Sequence, residues 1–170
     1  MRQIVLGLMT SLVMGLLPGL ALAAVDMPRP DDARALQGLE EARILWDVTL
    51  AKPKELLARL GVIERTYRDL ERQGVAPHMV LAFRGGAVDL LTQDAPDRHI
   101  ESAQTILLIH AKLRELASLD GIERLEACSI ATRRAGITQA DLIEPLVEVG
   151  NTFVTAAAYA QRGYTKIKID

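Results

Sequence analysis

In a chain of 170 residues, 20 basic side chains nearly balance 22 acidic ones, and the net charge of −2 is mixed along the whole length. That mixture lacks the concentrated basic face on which nucleic-acid binding depends, so nucleic acid is not an expected partner. A single cysteine, Cys128, excludes an internal disulfide and leaves three readings: a quiet buried residue, an intermolecular bridge, or a reactive thiol.

The chain opens Met1-Arg2-Gln3, followed by an apolar run from Ile4 to Leu20 that Pro18-Gly19 interrupts late, and then by Ala21-Leu22-Ala23-Ala24. A basic start, an apolar stretch and an A-x-A pattern predict a secretory signal peptide over residues 1–23, cleaved after Ala23 or Ala24. The rival reading is an uncleaved anchor, because the run approaches membrane-spanning length. Cleavage implies a periplasmic or secreted protein with no stable membrane insertion afterwards. Residues 24–40 carry Pro28 and Pro30 among charges and are expected to form a flexible lead-in. A single α/β domain is expected over 41–170, long enough for one sizeable core.

Within that domain, Arg43–Thr49 combines β-branched and aromatic residues and predicts the first strand. Pro53 suits the first turn of a helix. Leu56, Leu57, Leu60, Ile63, Tyr67 and Leu70 then recur at the spacing of one helical face, up to Gly74. His78–Phe83 is a continuous apolar run, as in a strand buried on both faces. Arg84-Gly85-Gly86 follows, readable as a tight turn or as a cradle for an anionic ligand, without dinucleotide-fingerprint spacing.

Thr92–Arg98 reads as a polar loop, leading into a long helix that ends near Ser118. Its middle, Thr105–Ile109, is apolar on every side, which predicts burial beneath a loop or against a partner subunit. Ile122–Ala127 alternates apolar and charged residues as a third strand, with Cys128 directly after it. A short helix is expected over Ser129–Ala135, closed by Gly136, and Thr138 is a candidate cap of the next turn. A fourth strand is placed at Pro145–Gly150, and a helix capped by Asn151-Thr152 runs to Gln161. Tyr164–Ile169 is an alternating strand whose lysines suit a sheet edge.

Strands alternate with helices throughout, which predicts a three-layer α/β/α sandwich around a mainly parallel sheet of about five strands. Ligands of such sheets bind outside the carboxyl ends of the strands. Those ends carry Asp47, then Arg84-Gly85-Gly86, then Cys128, then Asn151, and these are the candidate site residues. Asp47 is more simply read as a strand-end turn former. Cys128 at a helix start faces unpaired backbone N–H groups, and Arg133 or Arg134 would add positive charge by curling back; both effects favour the nucleophilic thiolate. No histidine adjoins Cys128 and no second cysteine exists, so a papain-like hydrolase and a thioredoxin-like pair are unsupported. His78, His99 and His110 match no metal-site spacing, and neither metal nor cofactor is expected.

The run Cys128-Ser129-Ile130-Ala131-Thr132-Arg133-Arg134-Ala135-Gly136-Ile137 resembles the segment around the sulfur-accepting cysteine of the DsrE family. The stretches Asp141–Val149 and Ala160–Ile167 resemble that family's C-terminal half, and Ile44–Val48 and Met79–Val88 its first strands and glycine turn. The resemblance implies a DsrE-like five-stranded sandwich that assembles into trimers or hexamers. It also implies a persulfide carried on Cys128 in a sulfur relay, with sulfur donor or acceptor proteins or small thiols as partners. Export would exclude a role in tRNA thiolation. The alternative is a non-catalytic oligomeric assembly module with an inert, buried Cys128.

Overall fold

A computed structural model describes residues 30–170, so the expected signal peptide at 1–23 lies outside the described residues. Five strands form one parallel sheet: β1 (Glu41–Val48), β2 (Ala76–Phe83), β3 (Ile122–Cys128), β4 (Val147–Val149) and β5 (Thr165–Ile169), in the order β4-β3-β2-β1-β5. The lysine-bearing β5 is an edge strand, as expected. A short helical turn, α1 (Ala33–Leu36), lies within the lead-in expected at 24–40. It is tied down by Gln73, whose side chain bonds the Asp32 carboxylate and backbone N–H.

Helices cover both faces of the sheet, which makes the three-layer sandwich. Helix α2 (Pro53–Arg72) turns Leu56, Leu60, Ile63 and Tyr67 inward, and Gly61 does not interrupt it. Beside it runs α4 (Ala103–Ala117). Together they pack on the face of β1, β2 and β3 that carries Trp46, Met79, Leu81, Phe83 and Leu125. Trp46 is a core residue, and its indole N–H points to the Met79 sulfur at 3.4 Å.

Two details of the long-helix expectation differ. Part of the predicted loop is itself helical, as α3 (Ala95–Arg98) and a turn at Ile100–Ser102 ahead of α4. Among the described residues, no loop covers the outer side of helix α4. Ile106, Ile109, His110, Leu113 and Leu116 face the core at helical spacing, while Leu107 and Leu108 stay about half exposed. Its apolar middle is one buried stripe plus two outward leucines, because only one side of α4 meets the sheet.

On the opposite face, α6 (Thr152–Gln161) crosses a smaller cluster of Leu45, Val80, Ala82 and Tyr164. This face also holds a carboxylate that strand alternation alone would assign to solvent. Glu126 is 2% exposed and accepts hydrogen bonds from Thr155 Oγ1 at 2.8 Å and Tyr159 Oη at 2.9 Å. Burial, together with that carboxylate, pushes the Tyr159 pKa up to about 12, so the phenol stays a donor. Among the described residues no helix is long and apolar enough to cross a membrane.

Candidate functional site

Cys128 ends β3, and its side chain lies on the α6 face, two residues beyond Glu126. A short helix, α5 (Ser129–Arg134), starts immediately after it. Two neighbouring connections close around this point. One follows β2, where Gly85–Leu90 winds as a tight helical turn; the other follows β4, where Gly150 leads into α6. The β3–β4 register sets Cys128 opposite Val149, and Ser129 Oγ donates to Gly150 O at 2.6 Å, which fixes the start of α6 beside the cysteine.

The result is a surface cavity of about 390 Å³. Arg84, Gly85, Gly86, Val88 and Asp89 contribute to its wall from the segment after β2. Cys128, Ile130, Ala131, Arg134 and Ala135 contribute from β3, α5 and the residue after it, and Phe153 from α6. The glycine pair has a steric reason to be there. Gly85 takes φ +60°, and a Cβ on Gly86 would stand 2.7 Å from the Cβ of Ala51. The tight-turn reading therefore accounts for both glycines.

Cys128 is only 2% exposed, yet its residue forms part of the cavity wall. Burial pushes the thiol pKa up, but opposing interactions outweigh it and the net shift is downward. They come from the Thr152 backbone N–H, the Thr152 hydroxyl, and the backbone N–H groups of Ile130 and Ala131. Because α5 has only six residues, individual N–H groups rather than a long macrodipole carry the effect. The Thr152 hydroxyl belongs to a residue only 3% exposed and has no protein hydrogen bond of ordinary geometry. It acts with its own backbone N–H to lower the thiol pKa. A depressed thiol pKa stabilises the fold above the unfolded-state pKa, and that contribution is lost as pH falls through the folded value.

Several expected site residues take other places. Arg133 does not approach the sulfur; it folds back along α5 to Ser129, with Nη2 at 2.8 Å from Oγ and Nε at 3.2 Å from the carbonyl. Arg134 lines the cavity instead. The cation that interacts with the Cys128 sulfur is Arg84. Its pKa is raised first by the Asp47 hydrogen bond and, to a smaller extent, by the cysteine. Asp47 is no turn former and does not line the cavity. It is 6% exposed and holds Arg84 in a two-pronged pair, Nε to Oδ1 at 2.6 Å and Nη2 to Oδ2 at 2.9 Å. Arg84 then lies over the Phe153 ring, 4.8 Å from its centre. Asn151 caps α6 by accepting from the Phe153 N–H at 2.9 Å and stands outside the cavity wall.

Sequence reasoning missed Thr152 and, in the cavity wall, Val88, Asp89, Ile130, Ala131, Ala135 and Phe153. The pairing of β4 beside β3 would have found Thr152, since it brings Gly150–Thr152 next to Cys128. The histidines serve elsewhere: His78 meets Glu123, His99 meets Asp89, and His110 bonds the Leu90 carbonyl.

Thr152→Val tests the sulfur's setting directly. The hydroxyl is one of the groups that lower the thiol pKa, so losing it should raise the Cys128 pKa. Stability should stay level or rise slightly, because a methyl of the same shape replaces an orphaned hydroxyl. The pH dependence of iodoacetamide labelling reads the first effect and urea unfolding the second. An unmoved pKa would show that the hydroxyl does not act on the sulfur.

No family model matches the chain, and no curated protein matches it in sequence. Among solved structures, the chain is similar to a protein of unknown function from Methanobacterium thermoautotrophicum, with a TM-score of 0.59 and 19% identity. The match covers 75% of this chain and 99% of that one. At that identity the likeness shows the α/β sandwich alone.

Proposed function

We propose that the protein is a sulfur carrier that holds sulfane sulfur as a persulfide on Cys128. The observation that supports this reading most is the sulfur's setting: the backbone N–H groups at the starts of α5 and α6 favour the thiolate in spite of burial, at the wall of a cavity that a small reactant can enter. A thiol kept only for packing needs no such donors, and burial would raise its pKa. The resemblance around Cys128–Ile137 to sulfur-accepting cysteines supports the same chemistry.

The transfer balances without a cofactor. The Cys128 thiolate attacks the terminal sulfur of a donor R–S–SH, and a bond forms between Sγ and that sulfur. The donor's S–S bond breaks, its inner sulfur leaves as R–S⁻ with the bonding pair, and the proton stays on the transferred sulfur. The negative charge passes from Sγ to the leaving thiolate. Passing the sulfur to an acceptor thiolate repeats the step in reverse roles, and the N–H donors around Sγ then stabilise the departing Cys128 thiolate.

Wild-type protein incubated with a persulfide donor is expected to gain one sulfur atom by intact-mass measurement, and Cys128→Ala none. The loading rate should rise with pH through a midpoint below that of an ordinary thiol. The competing assembly-module reading draws on the 2% exposure of Cys128. It predicts a folded-state thiol inert both to donors and to alkylating reagents, and that result would overturn the carrier reading.

A further inference from the structure

The charged side chains of the cavity wall are not all paired. Arg84 is neutralised by Asp47. Asp89 is held by Arg98 Nη1 at 2.6 Å and by His99 Nε2 at 2.8 Å, and the same Arg98 also holds Asp94 at 3.0 Å. Arg134 is exposed and, among the described residues, has no side-chain hydrogen bond, ion pair or ring contact. Arg134 is therefore the one cation of the cavity wall that has no carboxylate partner among the described residues. Arg84 adds direction to it. Nε and Nη2 are spent on Asp47, which leaves Nη1 without a partner among the described residues. The rest of the wall is apolar, from Val88, Ile130, Ala131, Ala135 and Phe153.

These features describe a ligand with a short apolar body and one anionic group. A guanidinium fork matches the planar, two-oxygen face of a carboxylate. A single free cation suits a monoanion better than a dianion, since Asp89 also borders the cavity. The volume of about 390 Å³ falls in the range of small-molecule sites. A cysteine residue only 2% exposed suits a slender reactant better than a cysteine held on a broad protein surface.

We propose that the cavity selects a small organic persulfide bearing a carboxylate, and that Arg134 is the residue that sets this preference. The proposal rests on the sulfur-carrier reading for the nature of the reaction, but the anion preference can be tested without any sulfur transfer. The bond changes are those given above, with R a short carbon chain ending in the carboxylate.

Cys128 of the intact protein is alkylated with a series of ω-iodocarboxylic acids of increasing chain length and with the matching primary amides. The acid-to-amide rate ratio is compared with that of a free small thiol. At the best-fitting chain length the ratio should exceed the free-thiol value by about tenfold, the effect of one charge-assisted contact in a partly enclosed site. Arg134→Gln should return it to the free-thiol value, Arg134→Lys should keep part of it, and added salt should reduce it. Arg134 has no partner to lose, so these variants leave the fold as it is. A wild-type ratio at or below the free-thiol value, or a ratio that Arg134→Gln leaves unchanged, would overturn the anion preference even where persulfide loading succeeds. Failed loading by both 3-mercaptopropionate persulfide and its amide, with the alkylation ratio intact, would instead remove the carrier reading and with it the persulfide assignment. The carboxylate subsite alone would remain.

Discussion

Gly121→Ala is expected to destabilise the protein by about 3 kcal/mol or more, the largest effect of any glycine-to-alanine change among the described residues. Gly121 sits at φ +85°, where an alanine costs about 1–2 kcal/mol from backbone conformation alone. Its new Cβ would also stand 2.0 Å from the Pro77 carbonyl oxygen and 3.1 Å from the carbonyl carbon. Those are backbone atoms at the start of β2, so no side-chain rotation relieves the overlap. The Gly121 carbonyl moreover accepts the Met79 N–H at 2.7 Å, where β2 and β3 begin to pair. Gly74 is the control: it has φ +79° but open space where an added methyl would stand, so Gly74→Ala should cost only about 1 kcal/mol. Urea midpoints at unchanged m-value separate the two variants. Equal costs would mean that the chain relaxes around Pro77 and that the close approach is not a constraint.

Asp47→Ala is the second large effect, expected at about 3 kcal/mol. Among the described residues its carboxylate is the only partner that fully engages Arg84, and the two side chains are 8% and 23% exposed. Removing one member of such a pair leaves the other's charge desolvated and unpaired, which usually costs about 3–5 kcal/mol; the partial exposure of Arg84 sets the lower end. Lys166, 3.8 Å from the same carboxylate, contributes little because half of it is in solvent. The double variant Asp47→Ala with Arg84→Met removes both charges and should regain most of the loss. A double variant as unstable as the two single costs added together would contradict this account of the pair. The consequence extends to the site, since Asp47 is what sets Arg84 over Phe153 and beside Cys128.

The expected order of strands and helices appears in the fold because each depends on local patterning. Pro53 and the leucines after it specify a helix with one apolar face, and His78–Phe83 has no polar side to offer to solvent. Cys128 could be placed at the end of β3 for the same reason: the alternating run stops there and small, helix-compatible residues follow. Arg84 and the two glycines were likewise legible as a strand-to-helix turn.

The partners of these residues were not. Arg84 meets Asp47 across 37 positions of sequence, and Glu126 meets Tyr159 across 33. Neither distance leaves a periodic trace. Arg133 and Arg134 are adjacent in sequence, yet one is bound to Ser129 and the other lines the cavity, because they project in different directions from a six-residue helix. Asn151, the more conspicuous cap residue, serves only the helix, while Thr152 beside it faces the sulfur.

Local hydrophobic periodicity and turn chemistry were thus enough to define an α/β sandwich with a lone thiol at the carboxyl end of a strand. Whether that thiol is held as a charged or a neutral group depends on donors gathered from separate segments. Those donors meet only because the sheet takes the order β4-β3-β2-β1-β5, which sets the start of α6 and the turn after β2 on either side of Cys128. Hydrogen bonds and charge pairs act over a few ångströms of space, whatever the distance along the chain, so their effect on Cys128 is decided by strand order and not by any neighbouring residue in the sequence.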